Sequence, residues 1–166
     1  MSVGARVYSR DDKQEYRLTA LLGSGAIGGV YRGRSDKGDE IAVKIPHARL
    51  PTDLEQRFWQ ELAVLNKLGE RSGGRYFPRA WRGALADSGR EVLCMDLVRG
   101  ERLVKIAEGT GTALEEGLAL EAGLQYARML EILHRAEISC PDRKVDDLYW
   151  DGEKKQLMVL DWNVVK

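Results

Sequence analysis

The fold is decided by the stretch Leu22-Gly23-Ser24-Gly25-Ala26-Ile27-Gly28-Gly29-Val30-Tyr31. Its glycines at 23, 25 and 28 follow the spacing G-x-G-x-x-G between two runs that predict β-strands. Because glycine has no Cβ and tolerates positive φ, this segment can fold tightly with its amides close to phosphate groups. Strand-like sequence follows where a dinucleotide fold needs a helix, and no Gly-Lys-Ser/Thr of a P-loop follows. The stretch therefore predicts a β-hairpin lid over a phosphate.

A third strand is predicted at Ile41-Ala42-Val43-Lys44-Ile45. Strand alternation places Ala42 and Lys44 on one face and Ile41, Val43 and Ile45 on the other. One face can therefore contact a nucleotide while the other packs in the core. The alternative is an ordinary glycine-containing hairpin with a solvated lysine.

A helix is predicted to begin at the capping box Thr52-Asp53-Leu54-Glu55 and to reach about Leu68. Its apolar residues recur at helical spacing, and Glu61 falls on the same stripe, seven residues after Leu54. A carboxylate among apolar contacts is costly unless a cation meets it. Glu61 is therefore expected either in a buried ion pair or at the edge of the stripe, in water.

The composition is that of one soluble globular domain. The 166 residues are 43% hydrophobic and 31% charged, and 26 Lys and Arg balance 26 Asp and Glu. This balance gives no attraction to nucleic acid or to an anionic membrane, and no run approaches the roughly 18 apolar residues of a membrane span. Cys94 and Cys140 lack metal spacing, and the first residues lack an apolar signal stretch. We therefore expect reduced thiols in a cytoplasmic protein.

Two further motifs lie near the end of the chain. Residues 138–148 read Ile-Ser-Cys-Pro-Asp-Arg-Lys-Val-Asp-Asp-Leu, with Asp142 in the middle. An apolar strand is predicted over 157–160, and it leads into Asp161-Trp162-Asn163. Taken in order with the glycine-rich stretch and the strand lysine, these pieces make the chain resemble the protein kinase superfamily, in particular bacterial Ser/Thr protein kinases.

This resemblance implies transfer of the ATP γ-phosphoryl group, with Mg²⁺, to a Ser/Thr hydroxyl of an unknown protein substrate or partner. Asp142 would be the catalytic base, and Lys144 would meet the transferred phosphoryl group. Lys44 and Glu61 would form the ion pair that orients phosphates. Glu55 is the alternative partner for Lys44, and it is the weaker one because it belongs to the capping box. Asp147 and Asp161 would be the metal ligands. ATP itself would be bound by Gly23, Ser24, Gly25, Gly28, Val30, Ala42, Lys44, Met95, Asp96 and Val98.

Some positions depart from the family pattern. Cys140-Pro141 stands for His-Arg, Asp147 for the metal-binding asparagine, and Trp162-Asn163 for Phe-Gly. Two alternatives therefore stay open. One is a pseudokinase-like module that binds a nucleotide or a partner without catalysis. The other is a small-molecule phosphotransferase of the same fold, which Trp162 favours and Lys144 disfavours.

The resemblance implies an α+β, protein kinase-like fold in three parts. Residues 1–15 are expected to be a polar, loosely ordered lead-in, 16–97 an N-lobe with a five-stranded antiparallel sheet and one helix, and 98–166 the hinge and a partial C-lobe. That C-lobe would hold a long helix, the catalytic loop and a short β-hairpin, and would be truncated before the activation segment and later helices.

The long helix, predicted over 114–136, is apolar around most of its circumference, which predicts association and possible homodimers through it. The chain has two histidines. His134 is expected to have a structural role at the end of this helix. His47 is expected to be solvated.

Overall fold

The computed structural model describes residues 3–72, 74–109, 111, 113–139 and 144–160. Asp142 and Asp161, together with the neighbouring 140–141, 143 and 162–166, lie outside this part of the chain. The chain divides into two compact units, Met1–Ala63 with Arg79–Leu97 and Val64–Pro78 with Val98–Lys166. The first boundary along the chain, between Ala63 and Val64, falls within a long helix.

The first unit is built on six antiparallel strands that close into a barrel in the order β1-β2-β3-β4-β6-β5. The barrel closes because β1 pairs with β2 on one side and with β5 on the other. The strands are β1 (Arg6–Ser9), β2 (Glu15–Ser24), β3 (Gly28–Ser35), β4 (Glu40–Pro46), β5 (Ala80–Leu85) and β6 (Glu91–Asp96).

Strand β1 corrects the sequence analysis, which predicts five strands and a loosely ordered lead-in over 1–15. In β1 the side chains alternate between solvent and core, and both Val7 and Ser9 are fully buried. The Ser9 hydroxyl accepts a hydrogen bond from the Trp81 indole N–H at 2.7 Å. A strand of four residues with one apolar inward side chain and one polar one gives too short an alternation to be recognised in a polar segment.

The barrel interior is an apolar core to which β4 contributes Ile41, Val43 and Ile45, as strand alternation predicts. Cys94 lies in the same core, and its burial raises the pKa of the thiol to about 12. The remaining core residues are Val7, Tyr16, Leu18, Trp81, Leu85 and Val92.

Helix α1 (Thr52–Ser72) begins one residue earlier than predicted, because the Glu55 N–H donates to the Pro51 carbonyl and Thr52, the predicted cap, is already helical. The helix also extends somewhat beyond the predicted end. In the first unit, Phe58 is fully buried, and Leu62 is nearly so. In the second unit, Lys67 and Arg71 donate hydrogen bonds, each of 2.8 Å, to the carbonyls of Ala136 and Arg135. These carbonyls end the long helix of that unit, where cations are favoured by the helix dipole.

The second unit also contains α2 (Leu103–Gly109), α3 (Glu116–Arg135), a 3-10 helix at Val145–Asp147 and a small antiparallel sheet. That sheet has the order β7-β8-β9, formed by Glu101–Arg102, Leu148–Asp151 and Gln156–Val159. The predicted long helix and the predicted β-hairpin are thus present, and the hairpin gains β7 as a third strand.

Helix α3 packs on β9 through a single buried stripe that includes Ala122, Gln125, Met129 and Leu133. Gln125 is the polar member of this stripe. Its side-chain amide donates to the Lys155 carbonyl at 2.8 Å, and its Oε1 accepts the Leu157 N–H at 2.9 Å. The buried amide therefore fixes the β8–β9 hairpin on α3.

Part of the apolar circumference of α3 remains exposed. Leu120 and Leu124, one helical turn apart, are 68% and 50% exposed. Neither α3 nor any other helix in the described residues has the length and apolar content that a bilayer span requires.

Candidate functional site

The glycine-rich stretch forms the predicted hairpin between β2 and β3. Gly23 pairs with Val30, and Ser24 pairs with Gly29, so the pairing reaches the loop although its register shifts between Leu18 and Ala20 and between Leu21 and Gly23. At the loop itself, the Gly25 N–H donates to the Gly28 carbonyl at 2.9 Å. The loop is therefore a tight, hydrogen-bonded turn whose first residues are exposed.

The three glycines of the G-x-G-x-x-G spacing have different structural roles. A Cβ on Gly28 would lie 2.1 Å from the Ile45 carbonyl oxygen, so close approach of β3 to β4 requires glycine there. A Cβ on Gly23 or Gly25 would meet no atom of the described structure within 4 Å. Gly28 is therefore required by the hairpin itself, whereas Gly23 and Gly25 leave open space on the solvent side.

One face of the sheet gathers four of the residues predicted to bind ATP. Val30 lies directly opposite Lys44, and Ala42 lies directly opposite Met95. Directly opposed residues on paired strands share a face, and residues two apart along a strand do as well. Ala42 and Met95 are each 6% exposed and present a small, apolar surface beside the lysine.

The Lys44 ammonium binds the Glu61 carboxylate at 2.5 Å. Both side chains are buried, with Lys44 9% and Glu61 6% exposed, whereas the rival acid Glu55 is exposed. The ion pair that the kinase resemblance implies is therefore confirmed. Burying two charges costs free energy, so the pair is weak evidence that Lys44 and Glu61 stabilise the fold. It is better evidence that Glu61 positions the Lys44 ammonium.

Asp96, predicted to lie in the hinge, is tied to Arg79. Its N–H donates to the Arg79 carbonyl at 3.0 Å, and its Oδ2 accepts the Arg79 N–H at 3.1 Å. The end of β6, at Asp96, is thereby held against the start of β5. Val98 belongs to the second unit and is half-buried there.

Lys144 and Asp147 lie together in the second unit. The Asp147 Oδ2 accepts the Lys144 N–H at 3.1 Å, and the Asp147 N–H donates to the Lys144 carbonyl at the same distance. The Asp147 carbonyl in turn accepts the Leu160 N–H at 3.0 Å. The segment that contains Asp147 is therefore fixed to the end of β9.

Asp142 and Asp161, the predicted base and the second predicted metal ligand, lie outside the described residues. Within the described residues, His, Cys, Asp and Glu form no group of three or more that could hold a metal ion.

The contacts of His47 with the glycine-rich loop are a feature that the sequence did not predict. His47 is exposed, as predicted, but its N–H donates to the Ile27 carbonyl at 2.9 Å, and its ring Nε2 lies 2.9 Å from the Gly25 carbonyl. A single histidine after a strand gives no periodic signal, and its partners are backbone atoms whose position only the folded hairpin defines. Sequence pattern could therefore not have revealed this contact.

A glycine-rich hairpin over a buried lysine–glutamate pair is typical of the N-terminal lobe of protein kinases. The model of the protein kinase domain family matches residues 16–166. The chain therefore belongs to the protein kinase domain family.

Two comparisons with individual proteins agree with this family. The chain is 22% identical over 139 residues to the probable serine/threonine-protein kinase zyg-1 of Caenorhabditis elegans. These aligned residues cover 84% of this chain and 19% of that protein. It also superposes on the crystal structure of Rad53 1-466 in complex with AMP-PNP, with a TM-score of 0.75 and 23% identity, over 93% of this chain and 40% of that one. The chain thus spans less than half the length of either protein, and at this identity the structural likeness shows the fold alone.

Proposed function

We propose that this chain binds ATP and transfers its γ-phosphoryl group to a Ser/Thr hydroxyl of a protein substrate. The observation that carries the proposal is the buried ion pair of Lys44 and Glu61 at 2.5 Å, on the face that also holds Val30, Ala42 and Met95. A buried cation held by a carboxylate beside a small apolar surface suits a phosphate next to an adenine ring.

In this proposal the first unit supplies most of the ATP contacts. Lys44, oriented by Glu61, binds the α- and β-phosphates, and the glycine-rich loop covers the phosphates with backbone amides. Ala42 and Met95 contact the adenine ring, and backbone groups of Asp96 and Val98 hydrogen-bond its edge. The exposure of Gly23, Ser24 and Gly25 supports a loop that is open to a ligand.

Asp147 and Asp161 are proposed to hold Mg²⁺, a hard cation that takes oxygen ligands. The donor set fits by its chemistry, because carboxylate oxygens are the ligands that a hard cation takes. The bond from the Leu160 N–H to the Asp147 carbonyl supports the pairing, since Leu160 precedes Asp161 in the sequence. When bound, Mg²⁺ would neutralise negative charge on the phosphates.

Asp142 is proposed to accept the proton of the acceptor hydroxyl. The hydroxyl oxygen then bonds to the γ-phosphorus, and the bond between that phosphorus and the bridging oxygen of ADP breaks. Lys144, two residues further along the chain, neutralises charge on the transferred group.

Transfer of labelled phosphate from ATP to a generic protein substrate tests this assignment. Asp142→Asn should reduce the rate by about 100-fold or more, since it removes the general base. Asp146→Asn is the matched control, because Asp146 is an exposed neighbour paired only loosely, at 4.0 Å, with Arg102. An unchanged rate in Asp142→Asn would remove Asp142 from its role.

A second candidate is a pseudokinase-like module that binds a nucleotide or a partner without catalysis. The Asp147 carboxylate supports it, because this replacement for the family's asparagine is engaged by the Lys144 N–H. Nucleotide binding without any phosphate transfer would favour this candidate. The small-molecule phosphotransferase rests on Trp162, which lies outside the described residues, and transfer to a small hydroxyl compound but to no protein would favour it.

We further propose a cytoplasmic location and self-association through the long helix. A cytoplasmic location is supported by Cys94, a free and buried thiol. Self-association is supported by the exposed Leu120 and Leu124.

A further inference from the structure

His47 follows directly on β4, the strand that carries Lys44, and makes two contacts with the glycine-rich loop. Its own N–H donates to the Ile27 carbonyl, and its ring Nε2 lies against the Gly25 carbonyl, each at 2.9 Å. A carbonyl oxygen only accepts, so Nε2 must carry a proton and donate. The histidine therefore binds two carbonyls of the loop at once.

These two bonds fix the direction of two peptide planes. In a trans peptide the C=O and the N–H of the next residue point in opposite directions, and the described chain contains no cis peptide. With the Gly25 and Ile27 carbonyls held toward His47, the N–H groups of Ala26 and Gly28 point away from it. Backbone amides directed to the side of a loop that faces away from its protein contacts are suited to bind an anion.

We propose that His47 is a positioning residue for the phosphate-binding loop. By donating to the Gly25 carbonyl, it holds the Ala26 and Gly28 amides in the direction that a triphosphate requires before the nucleotide arrives. Such preorganisation strengthens binding by removing the cost of ordering the loop. This inference rests on the proposed function, because it assigns the phosphates of ATP to this loop.

The test compares His47→Leu, which removes the donor, with His47→Gln, whose side-chain amide can still donate. Both variants keep the backbone bond to Ile27. Binding of Mg-ATP should weaken about tenfold in His47→Leu, equivalent to about 1.4 kcal/mol, and by less than about threefold in His47→Gln. The matched control is His134→Leu at the exposed end of α3, which should bind Mg-ATP as the wild type does.

Adenosine separates a positioning role from a merely structural one. Because adenosine has no phosphates, its binding should be equal in wild type and His47→Leu. An equal loss of Mg-ATP and adenosine affinity would overturn the proposal, as would a loss in His47→Gln as large as in His47→Leu.

A readout without nucleotide keeps this inference separate from the proposed function. Amide hydrogen exchange of the full chain should be about tenfold faster at residues 25–28 in His47→Leu and unchanged in β6. If the wild type binds no ATP but the exchange changes as predicted, the proposed function fails and the contact with the loop stands. If the wild type binds ATP but His47→Leu changes neither affinity nor exchange, the role of His47 is overturned and the proposed function stands.

Discussion

At the scale of single residues, the buried pair of Lys44 and Glu61 is the feature with the largest predicted energetic consequence. Glu61→Ala should lower the free energy of unfolding by about 3–5 kcal/mol, since it removes the carboxylate from a buried ammonium. Denaturant unfolding followed by circular dichroism measures this.

The matched control is Glu70→Ala on the same helix, where the side chain is exposed and the expected change is within about 0.5 kcal/mol. Equal stability of the two variants would contradict the buried ion pair.

A second residue-scale prediction concerns Ser9, the buried hydroxyl of β1. Ser9→Ala removes the acceptor of the Trp81 indole N–H and should cost about 1–3 kcal/mol, the penalty for an unsatisfied buried donor. Thermal unfolding of this variant and of Ser88→Ala, in the exposed turn between β5 and β6, provides the comparison. If the two variants unfold at the same temperature, residues 6–9 are the loose lead-in that the sequence analysis predicts.

At the scale of secondary-structure elements, the β3–β4 pairing depends on Gly28. Gly28→Ala places a methyl group against the Ile45 carbonyl and should destabilise the chain by about 1–3 kcal/mol through overpacking. Gly25→Ala, with open space at the Cβ position, should leave stability nearly unchanged. A thermal melt of both variants checks this, and an equal loss in both would contradict the different roles of the two glycines.

The sequence pattern predicts the long elements of the fold but not the short ones. Strands β2 to β4 and helices α1 and α3 are long and periodic, so their residues predict them well. Strand β1 is too short to give a period, and β7 has only two residues, so both are defined by their partner strands.

The candidate site likewise contains residues that the sequence predicts and contacts that it does not. The stripe of α1 limits Glu61 to a buried pair or the stripe's edge, and the kinase resemblance supplies Lys44 as its partner. The contacts of Gln125 and His47 join side chains to backbone groups of distant segments, which no local pattern encodes. The roles of Asp142 and Asp161 stay predictions, since both lie outside the described residues.

At the scale of the whole molecule, self-association through α3 is a prediction of the exposed Leu120 and Leu124. Replacing both with glutamate should shift the chain toward a monomer in size-exclusion chromatography with light scattering. The matched control replaces Glu116 and Glu131, also exposed on α3, with glutamine. A wild type that is monomeric at high concentration would contradict the prediction.

Calorimetric titration of the full chain with Mg-ATP measures whether the face around Lys44 binds the phosphates of ATP. The informative variant is the double substitution Lys44→Met with Glu61→Gln, because replacing both charges of a buried pair together leaves neither one unpaired. Lys37→Met, in the exposed turn between β3 and β4, is the control. We predict saturable binding to wild type and to the control, and binding at least about tenfold weaker to the double variant. No binding to wild type, or equal affinity in all three proteins, would contradict the account.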